Sequence, residues 1–260
     1  ACLGLMMSVG GLIDSHIHLD DERFDEDRGI LIAEAQAAGV SQFIVPAVKA
    51  DRFNKAVSLQ GEQVHVALGL HPYWIADHQE SDLNMLETMI DIYDPVAVGE
   101  CGMDFYIKGL SKSKQQQFFD AQIEIAKQRD LPLILHVRGA VDAVFQRLKR
   151  HDYFKAVMHS FNGSAAQAAQ IVSQGIYLGM GTAGLNPKAT KLHQLIKVMP
   201  LSHLMLESDA PDQPFYDRFG ERNTPKDLVR VCQEMATLKG ISYEALATAS
   251  NQNIKKLFKL

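Results

Sequence analysis

Short apolar runs alternate with longer segments in which apolar residues recur every three or four positions along the chain. A short run bounded by turn residues is typical of a buried strand, whereas the longer spacing is typical of a helix with one buried side. The alternation predicts eight strands, each followed by a helical segment, at residues 11–15, 41–45, 64–70, 96–99, 133–135, 156–158, 175–179 and 204–206.

The helical segments are predicted at residues 26–38, 51–60, 82–93, 112–129, 140–150, 165–173, 187–198, 225–239 and 243–258. Gly39 directly follows the first of them, and glycine commonly ends a helix because it adopts a left-handed backbone without strain. A repeated strand–helix order implies a parallel sheet, and eight such units in 260 residues favour a closed (β/α)8 barrel of the TIM type. The alternative is an open doubly wound sheet, but the chain lacks the G-x-G-x-x-G and Walker loops of nucleotide-binding folds.

Composition and charge narrow the class of protein. The chain is 47% hydrophobic with a net charge of -5, which excludes a broad basic surface for nonspecific nucleic-acid binding but allows a local groove lined by metal ions. Cys2, Cys101 and Cys232 are odd in number and far apart, so we expect no disulfides and a cytoplasmic location. No segment reads as a membrane span. We expect a monomer with one barrel domain over residues 1–260, of which residues 1–10 are a disordered or expression-derived start.

Titratable residues recur where predicted strands end. His16 and His18 alternate along the first strand, so their side chains are expected on one face. Alone, this pair is equally well explained as surface histidines or as one hydrogen-bonded core histidine. Barrels place their chemistry at the carboxyl ends of the strands, and six candidate ligands occur there, namely His16, His18, Glu100, His136, His159 and Asp209. Burying that many titratable groups without a metal would cost several kcal/mol, so the pattern predicts a site for two divalent ions bridged by a carboxylate.

Seven segments together resemble the successive motifs of the TatD family of metal-dependent deoxyribonucleases, and within it the YjjV-type bacterial branch. The resemblance runs in order from about residue 12 to residue 258, through residues 14–18, 69–72, 98–104, 136–138, 159–163, 207–211 and 222–225. It implies a TIM-type barrel of the amidohydrolase kind with a dinuclear site. One metal would take His16, His18, Glu100 and Asp209, and the other Glu100, His136 and His159, with Glu100 bridging.

The resemblance also implies hydrolysis of phosphodiester bonds, often as an exonuclease on DNA. Two bound ions would lower the pKa of a bridging water to give hydroxide near neutral pH, and Asp209 would both bind metal and accept the proton. Histidine and carboxylate ligands suit zinc, manganese, nickel or cobalt, and magnesium at some cost. The expected substrate is DNA or a small phosphodiester.

Residues beside the ligands are candidates for other roles. Arg138 is predicted to bind the substrate phosphate and His71 to contact the substrate; the alternative is a loop salt bridge or a local hydrogen bond. Asp104 is predicted to orient a metal ligand by hydrogen bonding. Trp74 would stack on a base or pack its own loop. Four further histidines are predicted to be exposed in helices or loops: His78, His151, His193 and His203.

Two other functions fit the same ligands. Related barrels hydrolyse small esters or amides, often with a modified lysine bridging the metals, and Glu100 in the fourth strand favours the TatD-like chemistry instead. A non-catalytic metal-binding module is the remaining alternative, and the complete set of six candidate ligands argues against it.

Overall fold

The computed structural model describes residues 11–260, and the residues before Gly11, including Cys2, lie outside the described part. Eight parallel strands form one sheet in chain order, each paired with its sequence neighbours. The strands are β1 Leu12–Asp14, β2 Val40–Pro46, β3 Val64–Leu68, β4 Ala97–Asp104, β5 Leu133–Arg138, β6 Ala156–Met158, β7 Tyr177–Met180 and β8 Leu204–Leu206.

Backbone hydrogen bonds join the two ends of this sheet. The amide of Ser15, just after β1, donates to the carbonyl of Leu206 in β8 at 3.1 Å, and the amide of Asp209 donates to the carbonyl of His16 at 2.9 Å. The sheet is therefore a nearly closed barrel. The predicted (β/α)8 TIM-type architecture is confirmed, and the open doubly wound alternative is wrong.

Helices follow the strands and cover the outside of the barrel. Gly39 ends the first helix with φ of 105°, as its position predicts. No helix within residues 11–260 is both long and apolar enough to cross a membrane. The helices are α1 Arg28–Ala38, α2 Phe53–Val57, α3 Glu80–Tyr93, α4 Lys112–Gln128, α5 Val141–His151, α6 Ala165–Ser173, α7 Thr190–Val198, α8 Asp227–Lys239 and α9 Tyr243–Phe258.

The hydrophobic core has two layers. The larger layer lies between the barrel and its helices. The smaller one takes one side chain from each strand and three from α9: Ile13, Ile44, Ala67, Ala97, Ile134, Val157, Tyr177 and Met205, with Ile254, Leu257 and Phe258. The last helix thus packs against this inner layer, and the carboxyl ends of the strands remain for polar groups.

Strand ends differ from prediction at three places that matter for the site. The strand β1 stops at Asp14, before His16 and His18, whereas β4 continues four residues past Glu100 and β5 continues past His136 to Arg138. A β-bulge interrupts the pairing of β4 between Val98 and Cys101, so Glu100 lies at an irregularity within the strand and not at its end. Apolar runs indicate where strands lie, but the end of a strand is not predicted where its last residues are polar.

Gly69, two residues before His71, lies close to Gly99 in β4. A Cβ atom on Gly69 would lie 2.6 Å from the Cα of Gly99, so any side chain there would push β3 and β4 apart. This close approach brings the loop that carries His71 beside Glu100.

Candidate metal centre

Four polar side chains converge around one point at the mouth of the barrel. The Nε2 atoms of His16 and His18 are 3.3 Å apart. Oε2 of Glu100 lies 3.2 Å from Nε2 of His16 and 3.5 Å from Nε2 of His18. Oδ1 of Asp209 lies 3.6 Å from the first of these nitrogens and 3.5 Å from the second. His16 and Glu100 are almost fully buried, so bulk water does not solvate these polar groups.

These separations suit a divalent cation. The five separations given above lie between 3.2 and 3.6 Å, which is the spacing of donor atoms that are each about 2 Å from a shared ion, the length of a zinc–nitrogen or zinc–oxygen bond. Two imidazoles and two carboxylates are also a donor set that zinc and its neighbours in the first transition series accept. The residues present therefore fit a bound metal ion.

The second oxygen of Glu100 faces a different group of imidazoles. Oε1 lies 2.9 Å from Nε2 of His159, 3.0 Å from Nδ1 of His136 and 3.0 Å from Nε2 of His71. His159 Nε2 and His136 Nδ1 are themselves 3.4 Å apart. One carboxylate thus lies between two groups of donors, one on each oxygen, and the second group also fits a metal ion.

For His18 and His136, a hydrogen bond on the far side of the ring indicates which nitrogen faces the centre. Nδ1 of His18 lies 3.2 Å from the carbonyl of Pro46 and donates there, so Nε2 is the nitrogen that faces Glu100 and Asp209. Burial opposes a charge on this ring, but the hydrogen bond with Asp209 and the two carboxylates raise the pKa of His18 to about 9, so Nε2 loses a proton when a metal binds. Nε2 of His136 lies 3.1 Å from Oδ2 of Asp104, which leaves Nδ1 for the centre. The structure therefore places Asp104 against His136, the kind of contact proposed for it from the sequence.

His71 has the opposite arrangement. Its Nδ1 accepts a hydrogen bond from the backbone amide of Tyr73 at 2.9 Å. Burial lowers the pKa of His71 to about 4, so the ring is neutral at neutral pH and its single proton is on Nε2. That nitrogen therefore donates to Glu100 and has no electron pair for a metal. His71 is a hydrogen-bond donor beside the centre.

Charge is strongly coupled at this site. Burial by itself would raise the pKa of Glu100, but the imidazoles of His71, His159 and His16 hold it well below its usual value. Burial likewise opposes ionisation of Asp209, and the hydrogen bond with His18 and the nearby histidines lower its pKa to about 2. Both carboxylates are therefore charged at neutral pH, as metal ligands must be.

Asp209 is held by a residue that sequence reasoning missed. The side-chain amide of Gln213 donates to Oδ2 of Asp209, and it also lies 2.9 Å from the hydroxyl of Ser160. Asp209 has a left-handed backbone with φ of 55°, a conformation that is uncommon for a residue other than glycine and occurs often at functional sites. With Oδ2 paired, Oδ1 alone faces the two histidines. Gln213 is four residues past Asp209 in an irregular loop, where no periodic pattern indicates its direction.

Two buried acids behind the histidines were given no role from the sequence, although they are the first residues of the motifs at 14–18 and 207–211. Oε1 of Glu207 accepts the amide of Ser160 at 2.6 Å and lies 3.6 Å from Nδ1 of His159, longer than a hydrogen bond. Asp14 accepts the amide of Ser208 at 3.0 Å, and burial raises its pKa to about 7. The available signal was an acid at the end of a buried strand: Asp14 is the last residue of β1, and Glu207 directly follows β8.

A cavity of about 730 Å³ opens above the centre. Arg138 is exposed on its wall, where its guanidinium lies 4.0 Å from the ring centroid of Tyr106 and, within residues 11–260, contacts no carboxylate. Arg23, in contrast, is paired with Asp21 and Asp212. Arg138 is therefore the more available cation for a substrate anion.

The prediction that four further histidines are exposed is wrong. His78 is 1% exposed, and its Nε2 donates to the carbonyl of His71 at 2.9 Å. His151, His193 and His203 are half-buried, not exposed. His78 holds the turn that carries His71, but it lies in a loop, where no periodic pattern in the sequence predicts burial.

A family model described as TatD related DNase matches residues 13–259. The chain belongs to the TatD family of metal-dependent hydrolases. It is 36% identical to the uncharacterized metal-dependent hydrolase YjjV of Escherichia coli K12 over 251 residues, which cover 95% of this chain and 97% of that protein. The crystal structure of YjjV superposes with a TM-score of 0.93 at 35% identity, covering 97% of this chain and 99% of YjjV. The TatD resemblance seen in the motifs is thereby confirmed.

A more distant relative in the TatD family has a named substrate. The 3'-5' ssDNA/RNA exonuclease TatD of Pantoea ananatis is 28% identical over 260 residues, which cover 96% of this chain and all of that protein (100%). Family membership makes the chain a metal-dependent hydrolase that acts on ester bonds.

Proposed function

We propose that this chain is a dinuclear phosphodiesterase that cleaves single-stranded nucleic acid, DNA above all, from an end. The observation that carries the proposal is Glu100, whose two oxygens face two separate groups of donors. Its TatD-family relative that is named as an exonuclease on single-stranded DNA and RNA supports the substrate class.

The residues divide between two cation positions. His16, His18, Asp209 and Oε2 of Glu100 would hold one ion, and His136, His159 and Oε1 of Glu100 the other. When bound, two such ions supply a nucleophile near neutral pH and neutralise charge on a phosphoryl oxygen. The charged state of Glu100 and Asp209 in the protein favours binding of divalent cations, whichever of the expected metals is present.

Three side chains act on the substrate in this proposal. Asp209, ionised at neutral pH, accepts the proton of the attacking water. The Nε2–H of His71, which lies 3.0 Å from Oε1 of Glu100, is a hydrogen-bond donor for a substrate oxygen and keeps its proton. Arg138 pairs with a substrate phosphate because its guanidinium matches phosphate geometry. Asp104 positions His136 through the hydrogen bond at Nε2.

A substrate panel tests the proposal. Protein loaded separately with zinc, manganese, nickel, cobalt or magnesium is given single-stranded DNA, duplex DNA, RNA, a phosphodiester reporter and a carboxylic ester. We expect hydrolysis of single-stranded DNA by the loaded protein and a loss of about a thousandfold in kcat for Glu100→Ala, because Glu100 supplies one ligand to each cation position. Hydrolysis of the ester without any phosphodiester would replace the proposal by the small-ester alternative. Activity retained in Glu100→Ala would remove Glu100 from its bridging role.

A further inference from the structure

Two aromatic residues stand on the wall of the cavity directly after His71. Tyr73 is 51% exposed and Trp74 is half-buried, and both line the cavity above the metal centre. Their ring centroids are 4.8 Å apart at an angle of 72°, so the edge of one ring meets the face of the other. An aromatic ring that is exposed inside a cavity does not pack in the core, so its face is available to a flat ligand.

The two rings have different surroundings. The ammonium of Lys49 lies 4.6 Å from the centroid of the Trp74 ring and so covers one face of it. Apart from Trp74, no ring or cation of residues 11–260 lies against Tyr73. Tyr73 is therefore the more accessible of the two rings, because Lys49 covers one face of Trp74 and only Trp74 lies against Tyr73.

The turn that carries Tyr73 is fixed at several points. The amide of Tyr73 donates to Nδ1 of His71, and the carbonyl of His71 accepts from the buried His78 at 2.9 Å. Lys114 donates to the carbonyl of His78 at 2.7 Å, and Ile75 is fully buried. The backbone of this turn is already ordered, so a ligand that stacks on Tyr73 does not have to order it.

We infer that Tyr73 and Trp74 form a nucleobase-stacking subsite next to the scissile phosphate, and that it takes an unpaired base. The inference rests on the proposed function. Tyr73 is joined by its own amide to the ring that donates to Glu100, so a base on Tyr73 belongs to a nucleotide adjacent to the centre. A base inside this cavity is not available for pairing in a duplex, so the subsite selects single strands. Stacking tolerates every base, so little sequence preference is expected.

The sole tryptophan of the chain makes the subsite visible. Trp74 fluorescence is titrated in metal-loaded protein with a single-stranded phosphorothioate oligonucleotide, which resists cleavage, and with the same oligonucleotide carrying an abasic terminal nucleotide. We expect the intact strand to change Trp74 emission and to bind about tenfold more tightly than the abasic strand. Tyr73→Ala should remove this tenfold difference, and Tyr73→Phe should keep it because the ring remains.

Tyr93→Ala is the matched control, since Tyr93 is also exposed but ends α3 outside the cavity. It should leave both affinities unchanged. Equal binding of the two strands by the unmodified protein, or a Tyr73→Ala variant that keeps the difference, overturns the subsite. Cleavage of ordinary single-stranded DNA is measured in parallel, about tenfold lower kcat/KM being expected for Tyr73→Ala. Cleavage without base-dependent binding refutes the subsite alone, whereas base-dependent binding without cleavage refutes the proposed function and leaves the subsite.

Discussion

Replacing Gln213 with methionine tests whether the orientation of Asp209 is set by its amide partner. Methionine nearly keeps the volume of glutamine and cannot donate a hydrogen bond. The change leaves Oδ2 of Asp209, a carboxylate only 7% exposed, without the amide that the structure places on it. The carboxylate is then free to rotate, so Oδ1 no longer faces His16 and His18 in a fixed position.

The size of the effect follows from the type of hydrogen bond. A hydrogen bond to a charged group contributes about 1.5–3 kcal/mol, which corresponds to about a ten- to hundredfold change in a binding constant. Outer partners of metal ligands generally have effects of that order on affinity. We therefore expect one of two zinc dissociation constants to rise about ten- to hundredfold in Gln213→Met, while the other changes little.

The assay is a competition titration of metal-free protein with zinc against a fluorescent chelator. Gln252→Met is the control, because Gln252 is exposed on α9. Melting temperatures of the metal-free variants separate loss of affinity from loss of folding. Two unchanged dissociation constants in a folded Gln213→Met protein would refute the reasoning.

Three other changes have defined outcomes. Asp104→Asn should weaken zinc binding about ten- to hundredfold at the second ion, because His136 loses its carboxylate acceptor; an unchanged titration would contradict this. Arg138→Ala should raise KM for a phosphodiester roughly tenfold and leave KM for a neutral ester unaltered, because only the phosphodiester carries a negative charge that Arg138 can bind. Equal effects on the two substrates would argue against phosphate binding. Burial raises the pKa of the Cys232 thiol to about 12 and also raises that of Cys101, so iodoacetamide at pH 8 should label both only after unfolding, as mass spectrometry would show.

The sequence predicted the barrel because apolar spacing records burial, and burial is what fixes the strands and helices. It also placed six donors together, since the carboxyl ends of parallel strands meet at one end of a barrel. His16 and His18 converge although β1 has already ended, so the expected contact was found without the expected strand.

What the sequence could not supply depends on backbone geometry and on loops. The irregularity at Glu100 in β4 and the close approach of Gly69 to Gly99 lie beside each other, and no hydrophobic pattern indicates either one. Gln213 and His78 act through irregular segments, where the direction of a side chain is set by tertiary contacts. The tautomer of His71, which makes it a donor, depends on the amide of Tyr73.

We propose that one carboxylate, Glu100, is a ligand at both cation positions. Metal content after equilibrium dialysis against a divalent cation, measured by mass spectrometry of the digested protein, tests it most directly. The unmodified protein should hold two ions per chain, and Glu100→Gln, which keeps the shape but removes the charge, should hold one at most. One ion in the unmodified protein, or two in Glu100→Gln, would contradict it.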